Sequence, residues 1–143
     1  MENQLRSVET FLREYERNVV AGNMPALVAQ FADPFLAAVP QGTKMVTATE
    51  HSRGLPARRQ FFDRIGCKSS SLADVHTIPL SSRYTLALTK WRFSFAEALN
   101  TPQEILVDSA FIVDVGGTEL KIILYLAADD MIALAKERGI VRD

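Results

Sequence analysis

Apolar positions follow two periods along this chain. From Ser7 to Ala21, Val8, Phe11, Leu12, Tyr15 and Val19 recur at three- and four-residue spacing, the signature of one helix face, with Glu9, Arg13, Glu14, Glu16 and Arg17 on the other. Gly22 is placed to end that helix in the left-handed conformation. Asn23 can cap a second helix with Pro25 in its first turn, where a missing N–H costs nothing. Leu27, Val28 and Phe31 supply its buried side. Pro34 should stop it, because Asp33 before a proline is disfavoured in helical geometry. A short strand over Phe35–Val39, a turn at Pro40-Gln41-Gly42 and a β-branched strand over Lys44–Thr49 follow. His51 falls in a loop before a third helix, opened by Ser52 or Arg53, with Pro56 in its first turns. Phe61, Phe62 and Ile65 anchor that helix and Gly66 ends it.

The period then shortens to two. Ser69–Ser71 reads as a short loop. Val75–Leu80 is a modest strand, Arg83–Phe95 and Glu104–Val115 are long ones, and Glu119–Leu126 closes the set. Asn100-Thr101-Pro102 and Gly116-Gly117 are the hairpin turns. Asp129 or Asp130 should cap a last helix, Met131 to Arg138, ended by Gly139. Tyr84, Leu86 and Leu88 share one phase of their strand, while Trp91, Phe93 and Phe95 share the other. Two explanations fit: a β-bulge near Thr89–Lys90, or a strand buried on both faces at different places. Both phases of Ile105–Val115 are apolar. One face must cover helices or a cavity, and the other calls for a second chain, which predicts a homodimer through the sheet.

The totals narrow the class. A length of 143 residues suits one domain spanning 1–143, with a sizeable core. Apolar residues make up 48% and charged residues 23%, ordinary values for a globular chain. A net charge of -1 argues against a dedicated nucleic-acid binder. The single cysteine, Cys67, excludes an internal disulfide and a zinc-type cysteine cluster. No apolar run approaches the roughly 20 residues that span a bilayer. The first residues, MENQLRSVET, carry no visible signal peptide, so a cytoplasmic location without membrane attachment is expected.

The order of elements, the stretch AGNMPALVAQFADPF and the closing LKIILYL together resemble the nuclear-transport-factor-2-like superfamily, which includes ketosteroid isomerases, scytalone dehydratase and polyketide cyclases. The resemblance covers the chain to about Leu126. It implies an α+β fold: a curved, antiparallel-dominated sheet forming a cone, covered by N-terminal helices, with a short C-terminal helix and a pocket at the wide end. It also implies a dimer. Ketosteroid isomerases carry a tyrosine seven residues before the glycine that ends the first helix, and Tyr15 stands there. They carry their catalytic aspartate just before a proline in the first strand. The matching residues here are Ala37-Ala38-Val39-Pro40, and Val39 cannot abstract a proton. Their acid in a long strand corresponds to Asp108, or to Ser109 if the register moves by one. The dehydratase and cyclase branches rely on His and Asp in the cavity. This chain has His51 and His76, and nothing in the sequence brings them together.

Asp108 is a carboxylate in an otherwise apolar strand, so it needs a partner or a raised pKa. It is either an acid–base group in a pocket or the cross-strand partner of Arg83, Lys90 or Arg92. Tyr15 is either an oxyanion donor or a core ring with its hydroxyl at the edge. His76 is either an inward-facing assistant or a structural imidazole. Arg53, Arg58, Arg59 and Arg64 make the third helix basic, most simply as a solvated face, with Arg58 or Arg59 as the candidates to rim the pocket and draw an anion. No phosphate-binding glycine loop, nucleophile elbow or His-Glu-x-x-His motif is present.

The expectation is a small-molecule-binding protein with an apolar cone pocket for a small hydrophobic or aromatic ligand and no cofactor. Phe31, Val39, Phe62, Trp91 and Tyr125 are the expected ligand contacts, with no metal site. The alternatives are a cofactor-free isomerase, dehydratase or cyclase using Asp108, Tyr15 and His76, and a dimerisation module whose pocket is filled by its own side chains.

Overall fold

The computed structural model describes residues 2–98 and 101–137. Its elements run α1 (Glu2–Ala21), α2 (Met24–Ala29), β1 (Phe31–Val39), β2 (Gly42–Val46), α3 (Ala48–Arg64), β3 (Cys67–Pro79), β4 (Tyr84–Ala98), β5 (Thr101–Asp114), β6 (Lys121–Ala127) and α4 (Met131–Glu137). The strands form one curved, unclosed sheet in the order β2-β1-β6-β5-β4-β3, antiparallel except where β1 pairs with β6. This is the expected α+β architecture, with helices at the front of the chain and a short one at its end. Asn100 and the Arg138–Gly139 helix end lie outside the described residues; Thr101 and Pro102 belong to β5.

Local chemistry sets the helix boundaries. Gly22 has φ 67°, and the Asn23 side chain accepts from the Ala26 N–H to cap α2. That helix ends at Ala29, short of the expected stop at Pro34. The Gln30 carbonyl accepts from the Ile122 N–H at 2.8 Å, and Phe31 pairs with Ile122, so tertiary pairing with β6 converts Phe31–Pro34 into strand. The β1–β6 register breaks between Phe31 and Leu36 around Pro34, the kind of irregularity that accommodates a residue without an N–H. Gln30 is buried and fastens three elements: its amide accepts from Asn18 at 3.0 Å and donates to the Phe11 carbonyl at 3.4 Å.

α3 begins four residues before Ser52. Thr47 and Glu50 form a reciprocal capping box, which turns Thr47–Thr49 out of the expected strand and puts His51 in the first helical turn rather than a loop. Ser69–Ser71 is not a loop either. Its backbone pairs with Ser94, Phe93 and Arg92 as part of a long β3. That edge strand is clamped to α1 at Leu72, whose N–H donates to Glu16 at 2.6 Å and whose carbonyl accepts from Arg13 at 2.7 Å.

The pairing of β4 with β5 runs unbroken from Tyr84 to Phe95, so β4 has no bulge at Thr89–Lys90. The irregularity lies in the facing strand, between Leu72 and Asp74 of β3. Thr85, Ala87, Thr89, Trp91, Phe93 and Phe95 are all buried on one face of β4. The inner positions are small at first and aromatic later, and the outer ones carry Tyr84, Leu86 and Leu88. That change of residue size, not a change of phase, produced the mixed pattern.

The core lies on the inner face. Val8 and Leu12 of α1 are fully buried in one cluster with Phe31, Phe35, Ile105, Phe111, Val113 and Ile122. Tyr15 and Val19 continue the same helical stripe, one and two turns further on, into a cavity. The outer face is also apolar. Two rows cross it by register, Leu36–Leu124–Ile112–Leu86 and Ala38–Leu126–Ala110–Leu88, and Leu88 is 43% exposed. Among the described residues no helix is long and apolar enough to cross a membrane.

Candidate functional site

The cavity lies between the concave face of the sheet and helices α1, α2 and α3. Its deeper lobe has a volume of about 450 Å3, and an adjoining lobe of about 310 Å3 opens toward the β1–β2 turn and the start of α4. Tyr15, Val19, Val39, Arg58, Phe62, Ser70, Phe93 and Tyr125 border both, so the two lobes adjoin along these side chains. The size suits a small organic ligand.

Aromatic rings build the walls. Tyr15 sits edge-on to Phe31, Trp91 and Phe111, with centroids 5.9, 5.8 and 5.6 Å away. Phe111 in turn meets Tyr125 at 5.3 Å. On the opposite wall Phe62 of α3 stacks on Phe93 of β4 at 5.6 Å, nearly parallel. Each of the expected contacts, Phe31, Val39, Phe62, Trp91 and Tyr125, therefore borders this space. Val39, at the position where the isomerases carry their base, is a rim residue.

The expected catalytic set is dispersed. Tyr15 is inside. Burial pushes its phenol up to about 12, against a smaller opposing effect of Arg58, so at neutral pH it is a hydrogen-bond donor. Among the described residues its hydroxyl has no hydrogen-bond partner. Asp108 borders the outer lobe, but its carboxylate pairs with Lys90, its cross-strand neighbour, at 3.1 Å on the outer face of the sheet. Strand alternation explains this: Val107 and Ser109 turn inward and are buried, so Asp108 between them turns outward. The inward residue is Ser109, whose hydroxyl lies 2.6 Å from that of Thr89. His76 also lies outside the cavity. It pairs opposite Leu88 and is exposed on the outer face, away from Tyr15.

His51 is the titratable group that the sequence misplaced. Its ring packs on Phe31 at 4.6 Å and Phe35 at 5.0 Å, and its Nδ1 is buried without a partner. Burial, and then the nearby Arg58 guanidinium, hold its pKa below the ordinary imidazole value. The signal that would have found it is the capping box Thr47-Ala48-Thr49-Glu50, which fixes the helix start and hence the direction of His51. Cys67 also borders the cavity, but burial pushes its thiol up, the opposite of nucleophile activation. Among the described residues no group of three or more His, Cys, Asp or Glu side chains is arranged to hold a metal ion.

No protein-family model matches the sequence, and no curated protein matches it. Solved structures do match. An NTF2-like protein with a cystatin-like fold from Novosphingobium aromaticivorans is 11% identical, with a TM-score of 0.69 over 99% of this chain and 95% of that one. A ketosteroid isomerase-like protein from Erwinia carotovora atroseptica is 10% identical, with a TM-score of 0.69 over 91% and 100%. Aln2 from a Streptomyces species is 10% identical, with a TM-score of 0.70 over 90% and 92%. The cavity thus lies within a nuclear-transport-factor-2-like fold, the fold that the sequence resemblance implied.

Proposed function

We propose that this protein binds a small, largely apolar aromatic molecule in the cavity between α3 and the concave face of the sheet. The observation that carries the reading is the unfilled, aromatic-walled space around Tyr15. Flat ligands gain edge-to-face contacts from such walls in addition to burial. The same space counts against a module whose pocket is filled by its own side chains. The acid–base alternative loses its support, because Asp108 is engaged with Lys90 and His76 lies on the other face.

The functional unit is proposed to be a homodimer through the outer face of the sheet. Leu36, Leu88, Ile112, Leu124 and Leu126 supply a shared apolar surface, flanked by the mixed-sign pairs Lys90–Asp108 and Arg92–Glu104. Such a surface offers a second copy apolar area to bury, with charges of both signs at its edge.

Thermal-shift screening with small aromatic and steroid-like compounds tests the binding reading, because a ligand that binds only the folded state raises the melting temperature. A panel that leaves it unmoved throughout defeats that reading. Sedimentation velocity tests the assembly, which fails if the wild type sediments as a monomer at micromolar concentration.

A further inference from the structure

Donors and carboxylates both border the cavity, and they differ in whether they are already engaged. Tyr15 and Tyr125 bring hydroxyls, and Arg58 brings a guanidinium to the junction of the two lobes. The Arg58 Cζ lies 5.2 Å from the centroid of Phe62, over a ring that is itself stacked on Phe93. Among the described residues no carboxylate forms an ion pair with Arg58. The acids around the cavity are engaged elsewhere. Glu50 holds Lys44 at 3.0 Å and closes the capping box. Asp63 faces Arg59 at 4.0 Å and Asp108 pairs with Lys90. Asp129 accepts from the Asp108 N–H at 2.9 Å, and Asp130 accepts from Gln41 at 2.9 Å and the Ala133 N–H at 3.1 Å. The field of Arg58 reaches inward, since it opposes protonation of both Tyr15 and His51.

A guanidinium laid on an aromatic face at the wall of an apolar cavity, with no carboxylate to neutralise it, is suited to an anion delivered by the ligand. A neutral phenol beside it adds a donor and no competing charge. Resting on the binding reading above, we infer that the ligand is an aromatic carboxylate. Its charged group bonds to Arg58 and the Tyr15 hydroxyl, while its ring lies among Phe31, Phe62 and Phe93.

Calorimetric titration with 2-naphthoate and its neutral isostere 2-naphthamide tests this. The acid should bind the wild type about tenfold or more tighter than the amide, the scale of a charge-assisted hydrogen bond. Arg58→Gln should bring the two within about twofold by weakening the acid alone. Arg58 is solvent-exposed, so this change leaves the core intact. Arg53→Gln, on the same helix, should leave the preference unchanged. Equal or tighter binding of the amide by the wild type, or an acid preference that survives Arg58→Gln, overturns the inference and leaves the binding reading standing. If neither naphthalene nor any compound of the wider screen binds, both fall together.

Discussion

Alkaline pH should destabilise this protein through Tyr15. In the unfolded chain a phenol ionises near its ordinary value of about 10. In the folded protein, burial among Phe31, Trp91 and Phe111 pushes Tyr15 up to about 12. Between those values the native state retains a proton that the unfolded state has released. The free energy of unfolding therefore falls as pH rises. The stabilisation is fully present below about pH 10 and is lost by about pH 12. At about 1.4 kcal/mol per pKa unit, the loss amounts to about 2 to 3 kcal/mol. Tyr15→Phe keeps the ring and removes the ionisable hydroxyl, so lysines and the other tyrosines contribute equally to both proteins and cancel in the difference. Urea denaturation followed by the fluorescence of Trp91, the sole tryptophan, supplies the two stability curves. The wild type should lose about 2 to 3 kcal/mol more than Tyr15→Phe across that pH window. Parallel curves would refute the claim that burial among these rings keeps the phenol protonated in the native state.

Other perturbations separate core, surface and turn. Phe111→Ala removes a side chain that is 1% exposed and should cost about 3 to 5 kcal/mol in urea denaturation. Asp108→Asn breaks an ion pair whose carboxylate side is 60% exposed, so its stability cost should stay below about 1 kcal/mol. Ligand affinity in that variant should be unchanged by calorimetry, and a large loss would return Asp108 to the site. Gly22→Ala forces a side chain into φ 67° and brings its Cβ to 2.6 Å from the Arg59 Nη1. Arg59 can move aside, so the expected cost is the backbone penalty of about 1 to 2 kcal/mol, read as a lowered melting temperature.

The elements that the sequence could place are those whose signals are local. α1 follows from apolar spacing alone, and the turn into α2 follows from Gly22, Asn23 and Pro25. The long strands β4 and β5 follow from length and β-branched or aromatic content. Misplaced segments depended on partners distant in sequence. Phe31–Pro34 is strand because β6 reaches it, and Ser69–Ser71 is strand because β4 does. His51 is an instructive exception, since the capping box that places it is local.

By itself, the sequence determined an α+β domain with an apolar interior, a tyrosine on the inner stripe of the first helix and no base before Pro40. Those properties depend on residue type and short-range spacing. The tertiary structure alone decided which face of β5 looks into the cavity. A strand's period is two, so a register one residue different would exchange Asp108 for Ser109. It also brought Arg58 and His51 from α3 to Tyr15 of α1, across a separation that no local pattern encodes. The chemistry of the site lies in that meeting of helices over the sheet.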